Sequence, residues 1–353
     1  MAGWAGSVGR RAERIDLGDL LTIRLPLLLL LALPILAPTL LPTSRLLSLA
    51  ILATIYVMVA NGLHVIFSHT GQLSLAHTTL WGVGAYVAAL LIVHWDWPVE
   101  AVLPAAGLGA AIAALAIGLP AFRTAGFSFA IMTFAFAEIM RLVANNWTTV
   151  TQGSIGITIP VQTHTIGPFQ FDNFNLLNNF YYIALAFAYL SIVAVWLIRR
   201  SSLGRTFITI RENERLARSL GINVYLYKLA ALALSGFFAG VAGAFLVYHQ
   251  QHIEPGPLSS FSAFFTIQFL LMILIGGRFS SLGPAIGAVV VVFSPELINA
   301  VFGDVLSFSR IQIIFGLGLV IGVLFSPNGI AGQTQQRYQA LAGWYQRYRE
   351  GRR

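Results

Sequence analysis

The sequence predicts an all-α, polytopic helical membrane protein with about eight to ten transmembrane helices, some of them broken or re-entrant. Three observations predict this fold class: 57% of the 353 residues are hydrophobic, 10% are charged, and the mean hydropathy is +0.77. Soluble globular domains carry about 25% charged residues. The low charge content therefore excludes an ordinary soluble domain, and we expect the chain to lie in a lipid bilayer.

The formal net charge is +8, and the chain contains no cysteine. The basic residues cluster in loops and at the termini, where the positive-inside rule explains them better than binding to nucleic acid does. We therefore expect no nucleic-acid partner. The absence of cysteine excludes disulfides and thiolate metal sites, and we expect no metal site.

Ten apolar stretches meet or approach the length of about 20 residues that a membrane-spanning helix needs. They are 20–41, 46–67, 73–93, 99–119, 126–144, 180–198, 225–248, 261–275, 282–302 and 311–325. The first follows a basic N-terminus but has no small-residue cleavage site at the right distance, so we interpret it as a span and not as a removed signal peptide. An alternative treats the interruptions SHTGQ (68–72) and GGRFSS (276–281) as re-entrant or broken helices, which lowers the number of spans to eight or nine.

The distribution of arginines predicts the orientation, because loops rich in Lys and Arg face the cytoplasm. With a cytoplasmic N-terminus and ten spans, most basic residues fall on the cytoplasmic side. We therefore expect a basic cytoplasmic N-terminus at 1–19, a transmembrane domain at 20–330 and a basic cytoplasmic tail at 331–353. The polar segment 145–179 is expected on the outside.

The longest central segment that is too polar for lipid is 199–228, and it contains seven basic residues. Its sequence predicts one short surface helix at 209–220, which ends at a C-cap formed by Gly221. One face of this helix is expected to carry Ile210, Asn213, Leu216, Ala217 and Leu220. Such a helix is suited to binding another protein; the alternative is an ordinary cytoplasmic loop.

Polar side chains and glycines recur in two stretches at membrane depth, 68–86 and 276–287. Polar groups inside lipid are costly unless they face a cavity or another helix, so they indicate a substrate path. The candidates are Gln72, Ser74, His77, Thr78 and Tyr86 in the first stretch, together with Thr133 and Glu138 in the predicted span 126–144. The alternative for His77 is a hydrogen bond between helices. The likeness of the two stretches hints at an internal repeat.

Two carboxylates, Glu138 and Glu296, lie in the interior of predicted spans. Glu138 and Arg141 are spaced i,i+3, which predicts an ion pair with a structural role; the alternative for Glu138 is a proton relay. Glu296 follows Pro295 in the ninth span, and we interpret it in the same way.

Several motifs resemble one known family. They are GQLSLAHTTLWGVGAYVAALL, FSFAIMTFAFAEIMRLVANNW, TQGSIGI, IGGRFSSLGPAIGA and the long segment SSLGRTFITIRENERLARSLGINVYLYKLAALALSGFFAGVAGA. In this order, over about 68–330, the sequence is similar to the inner-membrane permeases of branched-chain amino acid ABC transporters, of the LivM type. The resemblance implies a permease that imports branched-chain or other hydrophobic amino acids across the inner membrane.

The resemblance also implies that the central loop is a coupling helix that docks into an ATPase. The residues implied in this coupling are Arg211, Glu212, Asn213, Glu214, Leu220 and Gly221. Glu212 and Gly221 are the expected counterparts of the importer pattern EAA…G. We expect the helix at 209–221 to move as a rigid body when the ATPase dimer closes.

The family also implies a set of partners. They are a second permease of the LivH type, two ABC ATPase subunits and a periplasmic substrate-binding protein. ATP and Mg²⁺ are expected on the ATPase partners, and no cofactor is expected on this chain. Arg278, Gln152, Ile155 and the closing FSPNGI depart from the family pattern, which leaves urea, short amides or aromatic carboxylates as alternative substrates.

The sequence lacks the motifs of the competing function classes. Lys228 is the only lysine and does not lie in a Gly-Lys-Ser/Thr motif, so the chain has no P-loop for ATP. HExxH, GxSxG and a cysteine nucleophile are absent, and we expect no catalytic residue. An ion-coupled secondary transporter is the strongest rival, but it predicts paired acids near the midplane, and two scattered carboxylates do not favour it.

Overall fold

A computed structural model describes residues 33–36, 38, 43–124, 126–160, 163–166, 169–172, 179–256, 261–302, 316 and 329–330. The chain divides into two compact units, Met1–Pro42 and Thr43–Arg353. In the first unit, the described residues form a 3₁₀ turn at Leu33–Leu36. Most of the predicted spans 20–41 and 311–325 therefore lies outside the described residues, as do both predicted tails, 1–19 and 331–353.

The second unit is built from helices, with four short strands among its described residues. Its helices are α1 Ser44–His64 with a π-helical turn at Val65–His69, α2 His77–Trp95, α3 Val99–Ala121, α4 Phe127–Asn146, α5 Thr148–Thr151, α6 Asn179–Arg200, α7 Ser202–Glu212, α8 Glu214–Ser219, α9 Val224–Gln250, α10 Ala263–Gly276 and α11 Gly283–Phe302. Within the described part of the chain, α1, α2, α3, α4, α6 and α9 are long and apolar enough to cross a membrane.

These six helices match six predicted spans, with ends that shift by a few residues. The predicted interruption at 68–72 is also present, because the helical structure that begins with α1 ends at His69 and α2 begins at His77. α10 has 14 residues. It covers only about 21 Å, which is less than the about 30 Å of a hydrocarbon core. This length favours the alternative that the segment around 276–281 is a broken helix.

The core is centred on α9, which packs against α1, α2 and α3. Glycines allow the closest of these contacts. A Cβ added at Gly84 of α2 would lie 2.3 Å from the Cα of Gly240, and one added at Gly243 would lie 2.2 Å from the Trp81 carbonyl oxygen. Small residues let helix backbones approach each other in this way in membrane proteins. The side chains of Trp81 and Phe245 are fully buried in this core.

The apolar side chains on α4 and α6 are largely exposed within the chain. Phe127, Ile131 and Phe134 of α4 and Leu190 and Leu197 of α6 are examples. Apolar side chains on the outside of a helical membrane protein contact lipid or a neighbouring subunit. We therefore place α4 and α6 at the outer surface of the helical core, in contact with lipid or with another subunit.

The polar segment that follows α4 is folded against the chain after α9. α5 and a 3₁₀ turn at Gly153–Ile155 lead into β1, Ile157–Thr158. β2, Thr163–Ile166, and β3, Phe169–Asp172, form an antiparallel hairpin. β1 pairs antiparallel with β4, His252–Ile253, which directly follows α9. This pairing joins the segment that follows α4 to the segment that follows α9.

The single helix predicted at 209–220 is wrong. Asn213 has an extended backbone, with φ −156° and ψ 101°, and it separates α7 from α8. Its side-chain oxygen accepts a hydrogen bond from the Leu216 amide at 3.0 Å. Asparagine is among the best N-cap residues, so it begins a new helix at this point. The expected rigid body at 209–221 therefore consists of two helices joined at Asn213.

The predicted C-cap is confirmed, but the predicted apolar face is split. Gly221 follows α8 with φ +80°, a left-handed conformation that glycine adopts readily. Ile210 and Ala217 are buried and pack with Val224. Leu216 and Leu220 point outward, with exposed fractions of 53% and 67%.

Candidate coupling loop and substrate path

Glu214 attaches α8 to the start of α9. Its carboxylate lies 2.6 Å from the Arg218 guanidinium and 2.7 Å from the Lys228 ammonium. The Lys228 side chain is 7% exposed, so this carboxylate is the counter-ion of a nearly buried charge. Partial burial raises the pKa of Glu214, but the hydrogen bonds and charges of Lys228 and Arg218 outweigh it and hold the pKa below its ordinary value.

Arg211, at the C-terminal end of α7, connects this helix with the break between α1 and α2. Its Nη1 donates a hydrogen bond to the Ser68 carbonyl oxygen at 2.7 Å, and it also pairs with the Glu212 carboxylate. Gly71 leaves room for the same side chain, because a Cβ at this position would lie 3.0 Å from the Arg211 Cγ. Gly71 also has φ +74°, which disfavours any other residue. Glycine at position 71 therefore lets the broken segment accommodate the Arg211 side chain.

Two further arginines connect the same region with the turn between α10 and α11. Arg199, at the end of α6, donates to the Phe279 carbonyl oxygen at 2.9 Å. The Arg278 guanidinium lies 5.3 Å from the Phe67 ring and 4.8 Å from the Phe279 ring, and the Arg211 guanidinium lies 5.2 Å from the Phe279 ring. The two glycine-rich interruptions and the α6–α7 connection thus meet in one place.

Sequence reasoning did not find this meeting point. It treated Arg278 only as a departure from a family pattern, and it did not consider His64 or His69. Both histidines are buried, and their rings lie 5.0 Å apart. Their ring nitrogens have no hydrogen-bond partner among the described residues. The only signal in the sequence was two histidines within six residues at the end of an apolar run.

The unwound segment between α1 and α2 is held by hydroxyl groups that were predicted to line a substrate path. The Leu75 amide donates to the Thr133 Oγ1 at 3.0 Å, and the Ala76 amide donates to the Ser74 Oγ at 3.4 Å. Gln72 is half-buried, and its backbone amide donates to the Ile66 carbonyl oxygen at 3.3 Å. Because backbone groups at membrane depth need such partners, Ser74 and Thr133 have a structural role here.

The N-terminus of α2 is completed by neighbouring helices. The preceding Ala76 offers no capping side chain, and the Thr78 amide instead donates to the Thr266 Oγ1 of α10 at 3.2 Å. The His77 Nε2 lies 3.3 Å from the Ser235 Oγ of α9. Both His77 and Thr78 are fully buried. These contacts support the alternative of a hydrogen bond between helices for His77, and a substrate role stays a prediction for both residues.

Tyr86 lies elsewhere, on the wall of a pocket between α2 and α4, and Glu138 pairs with another residue of that wall, Arg141. The pocket has a volume of about 170 Å³, and Tyr86 and Arg141 belong to its wall. The predicted ion pair is present: the Arg141 Nη2 lies 2.5 Å from the Glu138 Oε1, and its Nη1 donates to the Pro255 carbonyl oxygen at 3.0 Å. Glu296 is also paired, with Arg45 at 2.8 Å.

Comparison with known sequences assigns this arrangement to a family. The family described as "Branched-chain amino acid transport system / permease component" matches residues 45–324. The chain belongs to this permease family. The match includes the six long helices, the loop with α7 and α8, and both interrupted segments. The chain is therefore a multi-pass membrane permease, and the predicted polytopic all-α fold class is confirmed.

Individual relatives agree with the assignment. The permease is 30% identical over 314 residues to the high-affinity branched-chain amino acid transport system permease protein LivM of Escherichia coli (strain K12), covering 84% of this chain and 72% of the relative. It is 24% identical over 307 residues to the LivH permease protein of Salmonella typhimurium, covering 80% of this chain and 93% of the relative. The predicted LivM-type resemblance is confirmed. No solved structure is significantly similar to the permease.

Proposed function

We propose that the permease is the membrane subunit of an ATP-driven importer for branched-chain or other hydrophobic amino acids. The observation that carries this proposal is the position of α7 and α8, which are joined through Arg211 to the break in the membrane-spanning core. A loop that only connects two spans has no need of such contacts. The chain itself is non-catalytic, and ATP with Mg²⁺ is bound and hydrolysed by partner subunits.

The surface proposed to bind the ATPase lies on α7 and α8. Leu216 on α8 and Leu220, the C-cap residue that follows it, are spaced i,i+4 and are exposed. Arg215 and Arg218 are exposed on the same short helix. Leucines surrounded by charges on a polar helix match the composition of a protein interface, with an apolar centre and a charged rim. The polar character of α8 argues against contact with lipid.

Arg211 is proposed to transmit movement of α7 to the substrate path. Its guanidinium holds the Ser68 carbonyl oxygen, and Ser68 lies in the π-helical turn just before the unwound segment. Displacement of α7 by a closing ATPase dimer would pull on this turn. Because the adjoining segment is not helical, it can change shape without breaking the hydrogen bonds of a helix.

The remaining partners follow from the family. LivM and LivH permeases are both similar to this chain, and this supports a heteromeric pair with a LivH-type permease. Two ATPase subunits and a periplasmic substrate-binding protein complete the proposed complex. We place the chain in the bacterial inner membrane with both termini and α7–α8 in the cytoplasm, because the basic residues cluster on that side.

A specific observation weighs against the ion-coupled rival. Glu138 and Glu296 were the candidates for a proton relay, and each forms an ion pair with an arginine. A proton relay needs a carboxylate that is free of a fixed partner, and an arginine engages each of these two carboxylates. Urea, short amides and aromatic carboxylates remain alternative substrates, since the substrate-binding protein supplies selectivity in this family.

Uptake by the assembled transporter tests the proposal. The permease, its ATPases and its second permease are reconstituted into proteoliposomes with the substrate-binding protein outside. We expect uptake of radiolabelled leucine that requires internal ATP and does not respond to an imposed proton or sodium gradient. Urea and benzoate serve as competitors. Uptake driven by an ion gradient without ATP would contradict the proposal.

A further inference from the structure

We infer that the pocket between α2 and α4 binds the substrate of the permease, holding an aliphatic side chain in its apolar interior and the charged end of the amino acid near Arg141. This inference rests on the proposed function and adds the location of the site. The pocket lies farther along α2 than His77, away from the end that contacts Arg211. In the proposed orientation it lies toward the outside.

The wall of the pocket suits an aliphatic group. Val83, Val87 and Leu90 of α2 face Met140 and Val143 of α4 across it. Its volume is about 170 Å³. An apolar cavity of about 150 Å³ holds a molecule as large as benzene, so the side chain of leucine, isoleucine or valine fits this space. A purely hydrophilic substrate such as urea gains nothing from this lining.

Two polar groups are available to orient the other end of the substrate. The Tyr86 hydroxyl is buried on the pocket wall and has no hydrogen-bond partner among the described residues. A buried hydroxyl without a partner is costly, so a substrate group that hydrogen-bonds to it would be stabilised there. Arg141 contributes a guanidinium, and its partner Glu138 has a side chain that is 41% exposed. The pair offers one charge of each sign to a zwitterion.

Gly82 sets the shape of one wall. A Cβ at this position would lie 2.8 Å from the ring of Phe261, which also lines the pocket. The Phe261 ring contacts Tyr86 at a centroid distance of 5.8 Å. A side chain at Gly82 would therefore displace the Phe261 ring from its position on the pocket wall. The absence of a side chain at Gly82 keeps this wall in place.

The absence of cysteine from the natural sequence makes the site directly testable. Val87→Cys and Ala144→Cys place single thiols in the pocket, and Val93→Cys is the control, since Val93 is 39% exposed on α2 and does not line the pocket. The assembled transporter is treated with a maleimide in the presence of leucine, glycine or urea. We expect leucine to slow labelling at both pocket thiols severalfold, with no effect of glycine or urea and none at the control.

A second variant keeps the test independent of labelling. Tyr86→Phe retains the ring and removes the hydroxyl, so we expect the KM for leucine uptake to rise about fivefold with little change in the maximal rate. Absence of ATP-driven uptake in the wild type would refute the proposed function itself. Normal uptake, with no protection of either thiol by leucine and an unchanged KM in Tyr86→Phe, would overturn the pocket assignment alone.

Discussion

Replacing Arg211 by alanine is expected to lower ATP-driven uptake by about tenfold or more while the ATPase still binds. The variant removes the hydrogen bond between α7 and the Ser68 carbonyl oxygen. Hydrogen bonds to charged groups contribute about 1.5–3 kcal/mol, and 1.4 kcal/mol corresponds to a factor of ten in an equilibrium. Loss of this contact lets α7 move without the broken helix following it, so ATP is hydrolysed without transport.

The measurement is the ratio of leucine transported to ATP hydrolysed in the same proteoliposomes. Arg123→Ala is the control, because Arg123 is exposed after α3, outside the proposed ATPase surface, and forms no ion pair within the described part of the chain. A lower ratio in Arg211→Ala and an unchanged ratio in Arg123→Ala are expected. Equal ratios in the wild type and Arg211→Ala would show that coupling does not pass through this side chain.

Replacing Glu214 by alanine is expected to lower the free energy of unfolding by about 2–4 kcal/mol. The variant leaves the Lys228 ammonium, whose side chain is 7% exposed, without its counter-ion. Removing one member of a buried ion pair is strongly destabilising, whereas replacing both members by apolar groups is often neutral. The double variant Glu214→Ala/Lys228→Met should therefore recover most of the loss.

Thermal unfolding of the purified permease in detergent measures this effect. Glu212→Ala is the control, because its carboxylate is 66% exposed and exposed ion pairs contribute little. A Glu214→Ala variant as stable as the wild type, or a double variant less stable than Glu214→Ala, would contradict the role given to the pair.

The stabilisation that the Glu214 carboxylate provides should depend on pH, in a direction set by the pKa of this group. The pKa of Glu214 is lower in the folded permease than its ordinary value, so the charged pair stabilises the folded state above the ordinary glutamate pKa. The stability difference between the wild type and Glu214→Gln should therefore be constant from about pH 6 to 8. It should shrink as the pH falls below about 4 and the carboxylate takes up a proton.

The spans could be predicted from sequence because each depends on a local property, a long apolar run. The break between α1 and α2 was predicted for the same reason, since SHTGQ interrupts such a run. The helix at 209–220 was predicted wrongly because hydrophobic periodicity gives no information about capping residues. Asn213 caps and begins a second helix in the middle of the pattern, and the apolar repeat was too short to show this break.

The contacts of the candidate site lay beyond sequence reasoning because they join distant parts of the chain. Arg211 and Ser68 are separated by 143 positions, and no pattern in either segment indicates the other. Polar residues were predicted to line a substrate path at membrane depth, whereas His77, Thr78 and Thr133 make hydrogen bonds with backbone or side-chain groups of neighbouring segments. Only packing distinguishes such residues from those that line a pocket, as Tyr86 does.

Binding of an ATPase to α7 and α8 is tested most directly by co-purification of the complex from membranes. Leu216→Ala/Leu220→Ala removes the exposed leucines in and just after α8, and Leu190→Ala is the control, because Leu190 is 60% exposed on α6, outside the proposed surface. Correct folding is checked by thermal unfolding. We expect the ATPase to remain with the wild type and Leu190→Ala and to be lost from the folded double variant. An ATPase that stays bound to the double variant, or never binds the wild type, would contradict the assignment of α7 and α8 as the coupling surface.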